Sequence, residues 1–317
     1  MKEYQKWKYG YSKSTAKFIL EHDKGVLPKY LFKYYSLNKY SVDALVNMYV
    51  YASHPAQLND PFDCDENLAR IEDQQSARAL WNEFYEQARS TYKDEQTFLD
   101  YSTRVFSTLM YRKWGVLSLA SSIENEILWA RYAENNGLCV EFDYSKFPFH
   151  FSGPFPIHYV KSVTHASSIQ YDLQELVLIQ SNVKQLCWQN EDEYRLLVHS
   201  PEGFDLKAYG KDADLINTIP GTHNRCFYYP INAVKSITLG INFFKNETDN
   251  GRAYSLSNNE LHVFYHEECM QTQVLDYLEK IKQYTIICMR IKMDLIPLII
   301  PIDIVKINPL TYRIIEI

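Results

Sequence analysis

The chain has 317 residues, of which 46% are hydrophobic and 23% are charged, and this composition is typical of a folded globular protein rather than of a disordered or fibrous one. The net charge of −6 provides no basic surface for a polyanion, so nucleic acid is not the expected partner. The six cysteines form no C-x-x-C pair, and the strongest apolar run, residues 295–305, is too short to span a bilayer. We therefore expect a cytoplasmic protein without a membrane segment.

The first part of the chain predicts short helices and strands. Residues 12–22 predict a helix, and residues 31–37 predict a strand because aromatic residues cluster there without a helical period. A second short helix is expected at 41–45, followed by a strand at 48–52.

Residues 66–110 predict a helical insertion. Apolar residues recur there with helical spacing, beginning with Ala77, Leu80, Trp81, Phe84 and Ala88. After a strand at 115–119, Ser121 and Glu124 have the spacing of a capping box and predict a helix that continues to Ala133. The sequence Asn135-Asn136-Gly137 predicts its end.

The second half predicts more strand than helix. Strands are expected at 138–142, 157–160 and 193–198, with a helix from 173 to about 188. We predict a single α+β domain over residues 1–317, with a mixed β-sheet core, the helical insertion and a β-rich C-terminal extension at 241–317.

Six motifs occur in a recognisable order. They are Leu31-Phe32-Lys33-Tyr34-Tyr35-Ser36, Leu58-Asn59-Asp60-Pro61-Phe62-Asp63, Val116-Leu117-Ser118-Leu119, Leu128-Trp129-Ala130-Arg131-Tyr132-Ala133-Glu134, Gly137-Leu138-Cys139-Val140-Glu141-Phe142-Asp143 and Trp188-Gln189-Asn190-Glu191-Asp192-Glu193-Tyr194-Arg195-Leu196. Over residues 31–240 the chain thus resembles the bacterial domain-of-unknown-function 2971 family, some of whose members look like components of phage-defence or toxin loci. It departs from that family at Tyr35, where arginine is usual, and at Ala120, where serine is usual.

The order of the motifs is also similar to that of ADP-ribosyltransferases, with Tyr35 on a first strand, Ser118 on a second and Glu191-Asp192-Glu193 entering a later one. This resemblance implies that NAD is the substrate and that Ser118, Glu191 and Glu193 are catalytic. Glu193 would stabilise the oxocarbenium ion that forms when the nicotinamide–ribose bond breaks. Glu191 would activate the acceptor.

Further side chains in these motifs are candidates for binding the nucleotide. Rings for stacking would come from Tyr34, Tyr35, Trp129 and Tyr132, and cations for the pyrophosphate from Arg131 and Arg195. Asn59 and Asp60 would add hydrogen-bonding groups. A protein acceptor or a cognate inhibitor would be a further partner. We expect Tyr35, Asn59, Ser118, Trp129, Tyr132 and Glu193 to converge on one cleft.

Other interpretations of the same residues remain open. Residues 59–63 equally predict a turn in which Asn59 and Asp60 bind backbone amides of their own loop. Residues 191–193 are also typical of an acidic, solvent-exposed helix end. The main alternative function is a non-catalytic binding or regulatory module, in which residues 59–63 and 129–132 frame a pocket for a signal or a partner. A third interpretation is a metal-dependent nuclease with Asp60 or Asp63 and the triplet Glu193-Tyr194-Arg195, although arginine is a poor base. No metal site is predicted.

Overall fold

The computed structural model describes residues 2–4, 7–12, 17–21, 27–55, 58–83, 94–147, 151–199, 225–244, 247–248, 251–257, 259–294 and 296–317. The helices are α1 (Lys39–Val46), α2 (Gln74–Glu83), α3 (Glu95–Asp100), α4 (Ser102–Lys113), α5 (Glu126–Arg131), α6 (Leu173–Asn182) and α7 (Met270–Ile281). The strands are β1 (Lys2–Tyr4), β2 (Trp7–Ser12), β3 (Lys17–Glu21), β4 (Leu31–Tyr35), β5 (Tyr49–Tyr51), β6 (Ala69–Arg70), β7 (Trp114–Ala120), β8 (Leu138–Phe142), β9 (Phe151–Pro156), β10 (His158–Val160), β11 (Ala166–Ser167), β12 (Val183–Gln185), β13 (Glu193–His199), β14 (Cys226–Tyr228), β15 (Val234–Leu239), β16 (Glu247–Thr248), β17 (Gly251–Ser257), β18 (Glu260–Tyr265), β19 (Ile286–Met293), β20 (Ile296–Asn308) and β21 (Thr311–Glu316).

Helices and a large mixed sheet together confirm the predicted α+β class. In that sheet β15 pairs parallel with β19 and antiparallel with β8, which makes it mixed. Helices α2, α3 and α4 lie in the predicted insertion, whose residues 84–93 are outside the described part of the chain. Strands β16 to β21 make the C-terminal extension rich in β-structure.

The chain divides into two compact units, each built from three segments. The first comprises residues 1–27, 52–118 and 149–226, and the second comprises residues 28–51, 119–148 and 227–317. The single domain predicted above stays a prediction, and each unit is described here by itself.

The first unit packs its helices around one hydrophobic core. Its members include Phe98, Phe106, Leu176, Ile179 and Leu197, all of which are buried. Helix α6 contributes Leu176, Val177, Leu178 and Ile179 to this core, and all of its residues from 175 to 182 are buried. Strand β13 lies between β7 and β9 in the sheet.

The second unit contains a long stretch of sheet. Its strands follow the order β16-β17-β18-β21-β20-β19-β15-β8-β4. Helix α7 buries Val274, Leu275 and Leu278 on one side, because Leu278 follows Val274 by four residues and Leu275 by three. Strand β20 pairs with two strands along its length: residues 296–301 pair with β19, and residues 302–308 pair with β21.

Three local predictions are wrong. Residues 17–21 of the predicted first helix form β3, where Phe18 and Ile19 pair with β2, so partner strands override a weak helical pattern. Helix α5 is capped by Asn125, whose side chain accepts from the amides of Ile127 and Leu128, and not by Ser121. The helix predicted to reach residue 188 ends at Asn182, because Val183 begins the short strand β12.

Within the described residues, no helix combines the length and the apolar character needed to cross a membrane.

Candidate functional site

Five ionisable side chains are buried together in the first unit. They belong to Asp63, Lys184, Glu191, Glu193 and Arg195, and each side chain is at most 7% exposed. Burial of charge is costly unless each charge is paired. We call this group the charge cluster.

A tight turn presents Asp63 to the cluster. The amide of Asp63 donates to the carbonyl of Asp60 at 3.0 Å, and the carboxylate of Asp60 accepts from the amide of Phe62 at 3.0 Å. Asp60 therefore binds an amide of its own loop, which confirms the turn predicted for it. Cys64 follows with a left-handed φ of 56°, so the chain reverses directly after Asp63.

Arg195 joins two carboxylates. It lies two positions after Glu193 on β13, so both side chains point to the same face of the strand. Its Nε donates to Glu193 Oε1 at 2.7 Å, and its Nη1 donates to Asp63 Oδ1 at 2.8 Å. Nη2 completes a bidentate pair with Asp63, and Nη1 also donates to the carbonyl of Ser181. The guanidinium thus holds the turn, β13 and the end of α6 together.

Lys184 lies within 4 Å of all three carboxylates of the cluster. Its Nζ lies 2.9 Å from Glu191 Oε2, 3.2 Å from Glu193 Oε2 and 3.7 Å from Asp63 Oδ2. Lys184 stands in β12, which pairs with β10, and Glu191 ends the 3-10 helix Leu186–Glu191. Burial opposes the charge on Lys184, but the carboxylates, chiefly that of Glu193, raise its pKa above the ordinary value.

Glu193 is the centre of the cluster and contacts Ser118. Strand β7 neighbours β13, and the Ser118 hydroxyl donates a hydrogen bond to the Glu193 carboxylate. Burial alone would raise the pKa of Glu193, yet Arg195, Lys184 and Ser118 together lower it to about 2. The carboxylate is therefore ionised at neutral pH, and Ser118 itself is half-buried.

Two aromatic residues adjoin the cluster. The hydroxyl of Tyr159 accepts from the backbone amide of Glu193 at 3.0 Å, and the half-buried ring of Trp188 lies 4.8 Å from Nζ of Lys184. Neither residue was a sequence candidate, and neither was Lys184. Trp188 stands in the last of the six motifs, whereas the partners of Lys184 depend on a turn that the sequence pattern assigned to a helix.

The aromatic candidates of the second unit are packed against protein groups. Trp129 is fully buried, its Nε1 donates to the carbonyl of Ile123 at 2.7 Å, and the guanidinium of Arg290 lies 4.5 Å from its ring. The Tyr34 ring meets Trp129 edge-to-face at 5.3 Å, and its hydroxyl donates to the carbonyl of Ser122 at 2.7 Å. These contacts account for Tyr34 and Trp129 as parts of a local core.

The sequence-predicted residues fall into two sets. Asn59, Asp60, Ser118, Glu191, Glu193 and Arg195 belong to the first unit, and Tyr34, Tyr35, Trp129, Arg131 and Tyr132 to the second. Ser118, Glu193 and Arg195 are brought into direct contact, and Lys184 links Glu191 to them. Arg131 is exposed, Tyr132 is half-buried and Asn59 is exposed. Convergence of both sets on one cleft stays a prediction.

We looked for side chains that could bind a metal ion in the described part of the chain. No three His, Cys, Asp or Glu side chains there are arranged to hold a metal ion. In the charge cluster, both carboxylate oxygens of Asp63 accept from the guanidinium of Arg195.

Comparison of the chain with family models, with curated proteins and with solved structures gives no match.

Proposed function

We propose that the protein uses NAD, either transferring its ADP-ribose to an acceptor or hydrolysing it, and that it acts in bacterial cytoplasm as a toxin or phage-defence effector. The observation that carries this proposal is the contact between Ser118 and Glu193 within a buried cluster that also holds Glu191. These are the three residues for which the resemblance to ADP-ribosyltransferases implies catalysis.

The electrostatics of the cluster suit this reaction. Three carboxylates and two cations give it a formal charge of −1. When the nicotinamide–ribose bond breaks, its electron pair leaves with nicotinamide and the ribose becomes an oxocarbenium ion. A carboxylate that is already ionised and held by fixed donors stabilises that positive charge without reorganising. Water or an acceptor then attacks the ribose, and Glu191 accepts the proton that the nucleophile loses.

The direct test is release of nicotinamide from NAD by the purified full chain. Glu193→Gln keeps the shape of the side chain but removes its charge, so turnover should fall by about 10²-fold or more. Glu95→Gln is the matched control, because Glu95 pairs with Arg78 on the surface. EDTA should leave turnover unchanged, whereas a metal-dependent nuclease would lose its activity.

One observation favours a second candidate, the non-catalytic binding or regulatory module. The Glu193 carboxylate already accepts hydrogen bonds from Arg195, Lys184 and Ser118, and only 7% of the side chain is exposed. A cluster of this kind also serves to hold a fold together. If no nicotinamide is released at any pH and Glu193→Gln behaves like the wild type in cells, the NAD-using function is wrong and the binding module replaces it.

A further inference from the structure

The charge cluster contains a cation whose contacts join the two proposed catalytic carboxylates. Nζ of Lys184 lies within 3.2 Å of one oxygen of Glu191 and one of Glu193. Since both oxygens surround a single nitrogen, they are no more than about 6 Å apart. Arg195, by contrast, joins Glu193 to Asp63.

We infer that Lys184 is a positioning residue, which holds the carboxylates of Glu191 and Glu193 side by side so that both act on one substrate. The inference rests on the proposed NAD-using function. Glu193 would face the ribose that becomes positive, and Glu191 would face the nucleophile that attacks it. Without the ammonium, two buried carboxylates at this distance would repel one another and move apart.

The identity of the cation matters. An ammonium is a compact charge with three donors on one nitrogen, whereas a guanidinium is a planar fork. The Lys184 side chain is 2% exposed, and Trp188 covers the ammonium at 4.8 Å. The site therefore has little room for the broader arginine head group, and the indole shields the ammonium from water.

The ionisable groups around Lys184 determine how a pH-dependent test of its role must be interpreted. The groups are Asp63 from the turn, Tyr159 from β10, Glu191 from the 3-10 helix, and Glu193 and Arg195 from β13. Burial and the neighbouring carboxylate of Glu193 raise the pKa of Tyr159 well above its usual range, so this phenol stays neutral. The protonation that is expected to change in acid is therefore that of the carboxylates.

The experiment is a pH–rate profile of NAD hydrolysis by the full chain. Lys184→Met removes the charge but keeps much of the apolar stem, so its acid limb should move to higher pH by about 1–2 pH units, because a carboxylate without its cation protonates more easily. Lys184→Met combined with Glu191→Gln removes one charge of each sign, and its acid limb should return towards that of the wild type. Lys282→Met, which breaks the more exposed pair with Asp303, should leave the limb unchanged.

A purely structural Lys184 would give a different result. Lys184→Met would then lower the rate equally at every pH, and this outcome overturns the inference. If the wild type releases no nicotinamide, the proposed function fails instead. Should both Lys184 variants fail to fold, ¹³C labelling of the glutamate carboxyls in the wild type decides the matter. A two-step titration of the labelled Glu193 carboxyl supports its coupling to a neighbouring carboxylate, and a single-step titration contradicts it.

Discussion

Asp63 and Arg195 form a bidentate ion pair whose two side chains are each 1% exposed. Asp63→Asn removes the charge that compensates the guanidinium and leaves Arg195 buried with weaker acceptors. We expect the free energy of unfolding to fall by about 3–5 kcal/mol, as measured by denaturant titration. The same measurement on Glu95→Gln, in the surface pair with Arg78, should show a loss of about 1 kcal/mol or less. Equal losses in the two variants would contradict the view that Asp63 anchors the cluster.

Glu193 also makes stability depend on acid. Its pKa is about 2 in the folded chain, below the ordinary value of 4.5. Because the folded pKa is the lower one, the carboxylate stabilises the fold fully above about pH 4.5, and this contribution is lost as the pH falls towards 2. Denaturant titrations between pH 6 and pH 2.5 should therefore show a steeper loss for the wild type than for Glu193→Gln. Parallel curves would mean that Glu193 does not contribute in this way.

The residues of the site differ in how far the sequence predicted them. Ser118 and Glu193 lie in motifs whose order alone predicted a common site, and they are in contact. From the sequence, the ring of Trp129 could equally stack on a ligand or pack in the core. Its full burial, which only the structure shows, identifies it as a core residue. No sequence pattern around Lys184 indicates a functional residue. Its partners Glu191 and Glu193 come close to it only because the chain turns back after β12.

At the scale of elements, two substitutions in the turn after α5 should change the free energy of unfolding in opposite directions. A Cβ on Gly137 would collide with the carbonyl oxygens of Tyr35 and Ala133, so Gly137→Ala should lower the free energy of unfolding by about 3 kcal/mol. Glu134 has a left-handed φ of 51°, and Glu134→Gly should raise the free energy of unfolding by up to about 1 kcal/mol. Thermal or denaturant unfolding of both variants checks the pair, and a loss in Glu134→Gly comparable to that in Gly137→Ala would contradict it.

Strands and helices with a strong pattern were predictable, and short elements at boundaries were not. Strand β13 follows from the apolar run after Glu193, whereas α5 ends at Arg131, two residues before its predicted end at Ala133. Residues 183–188 were predicted to be helical because the helical spacing that begins at Leu173 continues to Val183. There Val183 pairs with His158 of β10, and this distant partner is invisible to local periodicity.

For the whole molecule, the proposed function predicts an effect on the host cell. Expression of the wild type in a bacterium should lower cellular NAD and slow growth, because each turnover destroys one NAD. Glu193→Gln should restore both, while Glu95→Gln should remain toxic. NAD measured in cell extracts, with protein amounts matched by immunoblot, separates these outcomes. Equal growth and equal NAD with wild type and Glu193→Gln would exclude an NAD-consuming effector.

Strand β21 lies between β18 and β20 in the sheet, yet it follows both of them along the chain. Its buried residues Tyr312 and Ile314 pair on one side with Val263 and Leu261 and on the other with Lys306 and Ile304. During translation, 51 further residues must be added after Tyr265, the end of β18, before β21 is complete at Glu316. At 5–20 residues per second that delay is about 3 to 10 s. Until then β18 lacks one of the two strands that flank it in the completed sheet, so the pairing of β18 with β21 can only form late in synthesis.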